Sequence, residues 1–394
     1  MFFIPFKIDR PFGIPWATIA LIVTNTFIWM VSLANPYAFA QFFGFRPDVS
    51  GLYTWFTSMF VHADFFHLAG NMYFLWLFGS VIEDATGWLK YLALYAAGGL
   101  AAGLTSAAVT VVFSPSWTDV PMIGASGAIA ALIGIFAIRF YHHKVSIFYF
   151  IFFTAGVFAL PSLAAVALWF IREVVYAVPI LLGQFTGVAS FAHIGGLLFG
   201  VGLAFATGLG READVEDMAA KAVKAAAEGD HAVAVETYRL LAAEDPGEPK
   251  YALGRIRELW LAGRLPQDEA AAQAARVLKR MFFDGRREEA VTEYLALRGR
   301  GLAPALDPHT EMKVAAYCET SGRLSAAAHT YYRLATGCDE AALAEKALFR
   351  LAHVYLGMGH RDLAAQTWAS FVATYPDSEW RAWADRTLEG PGGT

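Results

Sequence analysis

Apolar residues in the first half of this chain come in long unbroken blocks, whereas beyond Arg211 they form small clusters on a charged, alanine-rich background. A helix crossing a bilayer needs about 20 mostly apolar residues, because the hydrocarbon is about 30 Å thick and each residue rises about 1.5 Å. Blocks of that length lie near 14–34, 66–83, 88–113, 123–141 and 187–208. Residues 145–182 are apolar over a stretch too long for one crossing and short for two. They are read as an interfacial or loop segment, VSIFYFIFFTAGVFAL, followed by a helix from about Pro161 to Ala177. Proline at a first helical position costs no helical hydrogen bond. The pattern therefore predicts six spans.

The polar half repeats. Gly229, Gly285, Gly322 and Gly359 each precede an alanine five residues on (Ala234, Ala290, Ala327, Ala364) and an aromatic nine on (Tyr238, Tyr294, Tyr331, Trp368). The last three glycines are 37 residues apart, and a fainter unit begins near Gly263, 34 after Gly229. Helix, turn and helix at that period mark a helical solenoid rather than a plain bundle, and the small and aromatic positions resemble tetratricopeptide repeats. Asp245-Pro246 and Tyr375-Pro376-Asp377 end helices. The expected fold class is all-α: a polytopic six-helix membrane bundle, then a soluble α-helical solenoid. The expected domains are 1–209 in the membrane, a 210–217 linker, and repeats over 218–390.

With 57% hydrophobic and 16% charged residues, the 394-residue chain is too apolar for an ordinary soluble enzyme. A net charge of −5 gives no nucleic-acid signal. Cys318 and Cys338, both in the polar half, suit a reducing compartment and form no disulfide framework. The first span is expected to act as the targeting signal, since MFFIPFKIDRPFGIP lacks the layout of a cleaved signal peptide. Charge placement sets the orientation. Lys7 and Arg10 precede span one, Lys90 follows span two, Arg139, His142, His143 and Lys144 follow span four, and Arg211 follows span six. The alternate loops carry only Arg46, so both termini are expected in the cytoplasm.

Several polar residues interrupt the apolar blocks: His62, His67 and Asn71 in FVHADFFHLAGNM, Ser126 in IGASGAIAA, and His193 in FAHIGGLLFG. Polar groups are expensive in hydrocarbon, so such residues are functional candidates. Ser126 begins span four just after Pro121 and Gly124, where a helix N-terminus offers unpaired N–H groups and partial positive charge to a developing oxyanion. Gly124 and Gly127 allow close backbone approach. His193 is followed by Gly196 and Gly200, a G-x-x-x-G face suited to contact with the span carrying Ser126, Gly127 and Gly134. That contact brings an imidazole to the serine as general base and acid. Glu173 sits beside Arg172 and is read as its partner, which leaves a Ser–His dyad. His67 and Asn71, four apart on one helix face, can join the Ser126 N–H in holding an oxyanion, while His62 braces its loop by hydrogen bonding.

The order H-x4-H-x3-N, G-x-S-G, A-H-x-x-G-x-x-x-G over about Thr54 to Gly200 resembles the rhomboid family of intramembrane serine proteases. The resemblance implies Ser126 as nucleophile, His193 as base, His67 and Asn71 as oxyanion-hole side chains, and an outward-facing, water-filled cavity. One departure is the first loop, with Tyr53, Thr54 and Trp55 where many relatives carry a Trp–Arg pair. The implied protein is a serine endopeptidase without cofactor or metal. Its partners would be transmembrane substrates, the lipid bilayer and an unknown protein bound by the repeats. Its place would be a bacterial inner membrane. The alternative is a catalytically silent rhomboid-like protein that binds membrane clients, although such relatives lose the serine and histidine. A metalloprotease using His62, Asp64, His67 and His193 lacks the H-E-x-x-H helix, and no pair of discontinuous helices suggests a transporter.

Overall fold

A computed structural model describes residues 2–10, 12–48, 51–151, 153–184 and 189–383. Two compact units divide the chain, Met1–Asp217 and Met218–Thr394.

In the first unit, β1 (Phe2–Ile8) leads to α1 (Trp16–Ser32), α2 (Pro36–Phe43) and the single turn α3 (Thr54–Thr57). Then α4 (Phe65–Phe74) passes through a π-turn at Leu75–Gly79 into α5 (Ser80–Thr86), followed by α6 (Trp88–Phe113) and α7 (Ser126–Arg139). Next come β2 (Lys144–Ile151), β3 (Thr154–Pro161), α8 (Ser162–Leu181) and α9 (Ser190–Ala206). The helices fall on all six blocks read from the apolar pattern. Phe65–Thr86, Trp88–Phe113 and Ser162–Leu181 are each long and apolar enough to cross a membrane, whereas α1 and α7 are shorter apolar helices. Residues 187 and 188 of the sixth block lie outside the described residues.

The helix α7 is the hub of the bundle. Twelve of its fourteen residues are buried, and its 14 residues extend about 21 Å against about 30 Å of hydrocarbon. Its far end is Arg139, and Ser126 stands at the other end, about 20 Å away. Within the 123–141 block the helix begins at Ser126, just after Pro121 and Gly124, and ends at Arg139. Small residues let α9 cross α7 closely: a Cβ at Gly196 would fall on the carbonyl oxygen of Gly127, and one at Gly200 on that of Ala131. The start of α1 is held by a buried carboxylate. Glu83 of α5 accepts from Ala17 N, Thr18 N and Thr18 Oγ1, each at 2.8 Å, and so satisfies the unpaired N–H groups of that helix end.

The segment VSIFYFIFFTAGVFAL is not a loop. It makes the hairpin β2–β3, to which β1 adds as a third strand in the antiparallel order β1-β2-β3, with Ile8 opposite Val145 and Lys144 opposite Pro161. Tyr73 of α4 donates to the Pro5 carbonyl at 2.6 Å and ties β1 to the bundle. The helical class stands, with this small sheet added.

At the far end of α7, Arg139 is 4% exposed and pairs with Glu216 (Nη1 to Oε2, 3.0 Å) and Glu212 (3.5 Å) of α10 (Leu209–Ala227). His142 pairs with Asp214 at 3.3 Å. The stretch 210–217, expected to be a linker, is therefore helical and bonded to the bundle.

The second unit contains α11 (His231–Glu244), α12 (Pro249–Leu261), α13 (Gln267–Phe283), α14 (Arg287–Gly299), α15 (Pro308–Thr320), α16 (Leu324–Gly337), α17 (Ala341–Gly357) and α18 (Arg361–Thr374). Residues 384–390 of the expected repeat region lie outside the described residues. The repeat glycines sit between paired helices with φ near 80°, a left-handed conformation that closes each preceding helix. The N–H after each turns back, as with Arg323 N to Cys318 O at 2.8 Å. Ala327 and Tyr331, one helical turn apart, are buried together, and the same holds for Ala290 with Tyr294 and Ala364 with Trp368. Tyr331 also donates to Glu319 at 2.9 Å. Tyr331→Ala is therefore expected to cost about 3–5 kcal/mol, read from denaturant unfolding of the helical signal. A loss under about 1 kcal/mol would show that the aromatic position is not part of a common core.

Candidate active site

The loop before α7 is pinned so that the chain turns into the helix at Ser126. Phe45 and Met122 exchange both backbone hydrogen bonds, Phe45 N to Met122 O at 3.0 Å and Met122 N to Phe45 O at 2.8 Å. Trp55 packs on Phe45 with ring centres 4.3 Å apart and the planes tilted by 44°, which gives the departing first loop its packing. Gly124 N donates to Ser58 O at 2.9 Å, and its φ of 116° is one that side chains rarely adopt. A Cβ there would also stand 2.7 Å from His67 Nε2, so the glycine makes room for that imidazole.

His193, in the first turn of α9, places Nε2 2.8 Å from Ser126 Oγ. Its Nδ1 is 2.8 Å from Glu173 Oε2 of α8. A carboxylate only accepts, so Nδ1–H donates to Glu173, and Nε2 is left to accept from the serine hydroxyl. Glu173 thus meets the imidazole as well as Arg172, the partner expected for it. Glu173 also has Arg172 Nη1 3.6 Å from Oε1, but the imidazole is its nearer partner. The carboxylate is 3% exposed, and Trp169, one turn earlier on α8, stands 6.0 Å from the His193 ring.

Across the site, Asp64 caps α4 by accepting from His67 N at 2.9 Å, which fixes the turn carrying His67. Asn71 donates to His67 O at 2.8 Å, leaving its second amide N–H for a ligand. Both line a cavity of about 630 Å³ that Ser126, Trp169, Glu173 and His193 also line. His62 does not line it. It is buried with its ring edge-on to His67 at 5.1 Å, and among the described residues neither ring nitrogen has a hydrogen-bond partner. The ring packing on His67 holds it beside the turn that carries that residue. Gly127, Gly196 and Gly200 lie behind the serine in the α7–α9 crossing.

What sequence reasoning missed is Glu173, for which the one available signal was a carboxylate in an otherwise apolar span.

A bundle of apolar helices built round a half-buried, hydrogen-bonded serine is the class this geometry defines. The Rhomboid domain family matches residues 49–209, and the Tetratricopeptide repeat family matches residues 346–378. Rhomboid protein 1, mitochondrial, of Saccharomyces cerevisiae is 31% identical over 148 residues, covering 36% of this chain and 38% of the yeast protein. Presenilin-associated rhomboid-like protein, mitochondrial, of Bos taurus is 34% identical over 145 residues, covering 36% and 35%. Presenilin-associated rhomboid-like protein A, mitochondrial, of Danio rerio is 35% identical over 147 residues, covering 36% and 34%. The chain spans little more than a third of the length of these relatives. Residues 49–209 thus match a rhomboid domain, and residues 346–378 a tetratricopeptide repeat. The chain is a multi-pass membrane protein. The relatives' names place them in mitochondria, whereas the sequence alone suggested a bacterial membrane.

Proposed function

We propose that the protein is an intramembrane serine endopeptidase that cleaves transmembrane or membrane-proximal segments of other membrane proteins. The observation that carries this reading is the contact of His193 Nε2 with Ser126 Oγ at the wall of a cavity within the bundle. In this reading Ser126 Oγ attacks the scissile carbonyl while His193 Nε2 takes its proton, and the same proton then goes to the leaving amine. The charge on the carbonyl oxygen is met by the N-terminal N–H groups of α7, the Asn71 amide and the His67 ring. Water then releases the acyl group through the same base. The cavity supplies that water, which hydrocarbon cannot. A substrate helix has to unwind to expose its carbonyl, which favours segments with small or helix-breaking residues. Basic residues at alternate ends of the spans support cytoplasmic termini in a plasma membrane, with the repeats binding a protein on that side.

The test is detergent-purified protein given a type I membrane reporter substrate and, separately, a fluorophosphonate. Cleavage together with labelling at Ser126 is the expected result, and a protein that binds the reporter but neither cuts it nor takes up the probe would sink the proposal. Within this reading Asn71→Ala lowers kcat about 100- to 1,000-fold with little change in KM, since an oxyanion donor acts in the transition state. Initial rates over a range of substrate concentrations check it. A change confined to thermal stability would reduce Asn71 to an interhelical contact.

A further inference from the structure

We propose that Glu173 is a positioning residue for the hydrolysis, so that the working unit is Ser126–His193–Glu173 rather than a pair. The inference rests on the serine-protease reading above and deepens it.

Three observations converge. The Glu173 carboxylate lies 2.8 Å from His193 Nδ1, while the other ring nitrogen lies 2.8 Å from the serine, so the three groups are in line. Glu173 is 3% exposed in the middle of an apolar helix, a costly place for a carboxylate. Stability does not explain it, because a buried ion pair is often no better than well-packed apolar residues of the same size. Finally, the arrangement around the carboxylate divides its two oxygens: Oε2 takes the imidazole, and Oε1 faces Arg172 at 3.6 Å. Arg172 itself is 59% exposed and lines the cavity, so its charge is partly solvated while that of Glu173 is not.

The chemical role follows from which nitrogen carries the proton. A neutral imidazole has one donor and one acceptor nitrogen, and only the form with Nδ1–H can accept from the Ser126 hydroxyl at Nε2. An acceptor-only partner at Nδ1 enforces that form. During attack the O–C bond forms, the carbonyl π pair moves to oxygen, and the serine proton moves to Nε2. The positive imidazolium then lies beside the Glu173 carboxylate. On collapse the C–N bond breaks and the Nε2 proton leaves with the amine, so Glu173 holds its charge throughout and transfers no proton.

Glu173→Gln is nearly isosteric but can offer an N–H to Nδ1, which favours the wrong tautomer. Its kcat is expected to fall roughly 10²- to 10⁴-fold with KM within about twofold of the parent, and fluorophosphonate labelling of Ser126 should slow in parallel. Glu173→Asp, one methylene shorter, is expected to recover part of both. A merely structural role would move thermal unfolding or KM and would not separate Gln from Asp in labelling rate. Should the Gln variant fail to fold because Arg172 is left unpaired, Glu173→Gln with Arg172→Gln removes that charge and carries the same expectation. Wild-type kcat and labelling in a folded Gln variant, or equal loss in the Gln and Asp variants, would overturn the inference while leaving a Ser–His protease intact. Cleavage by Ser126→Ala at the parental rate would overturn the underlying reading instead.

Discussion

Ser126→Ala and His193→Ala are each expected to abolish cleavage of a membrane reporter, by about 10⁴-fold or more, with insertion and thermal unfolding nearly unchanged. Both side chains act in one step, the transfer of the Ser126 proton as its oxygen attacks. Removing either leaves no activated nucleophile, so the double variant should be little worse than the worse single one. Structural loss is small because Ser126 keeps its place at the α7 N-terminus through backbone contacts, the Gly124–Ser58 hydrogen bond and the Phe45–Met122 pair. Fluorophosphonate labelling separates the two variants. Ser126→Ala should take up no probe, since the acceptor atom is gone, whereas His193→Ala should label slowly. Parental cleavage in either would contradict the proposed chemistry.

The parts of this site that could be read from sequence share one property: they are polar residues in apolar surroundings, close in sequence to glycines that permit tight packing. Ser126, His193, His67 and Asn71 stand out for that reason, and the cavity brings all four together. Glu173 meets the same criterion, but in sequence its evident partner is its neighbour Arg172, which it also contacts at 3.6 Å. Only the approach of α8 to α9 shows that the imidazole is nearer, and no spacing rule links residues 20 apart on two helices. The sheet was hidden for a different reason. A strand announces itself by alternation of apolar and polar residues, and Val145 to Ile151 is apolar at almost every position, so period two disappears. The density of Val, Ile, Phe and Tyr in that segment was the surviving signal. In the polar half the opposite holds, since the Gly, Ala and aromatic positions of each unit recur at fixed offsets, and the Ala and aromatic ones land on one buried face.

A chain ending at Ala227 is expected to insert and cleave a reporter like the full protein, and a chain ending at Gly210 to be unstable and largely inactive. The difference is the first half of α10. Ending at Gly210 removes Glu212, Asp214 and Glu216, and with them both carboxylate partners of Arg139. Arg139 is 4% exposed, and leaving a buried charge unpaired costs about 3–5 kcal/mol. The neighbouring cation makes matters worse, since Arg10 also faces Glu216, at 3.7 Å, and both guanidinium groups lie over the Phe140 ring. Arg139 ends the helix that Ser126 begins, and α7 is only 14 residues long, so loosening one end changes the placement of the other. The comparison is made by thermal unfolding and initial cleavage rates of the two shortened chains beside the full protein in one detergent. Equal stability and activity in the two shortened chains would show that the Arg139 cluster does not support α7. An intact but inactive chain ending at Ala227 would show instead that the repeats take part in catalysis. Arg139→Gln in the Gly210-ended chain gives the charge argument its own check, because removing the stranded cation should return part of the lost stability.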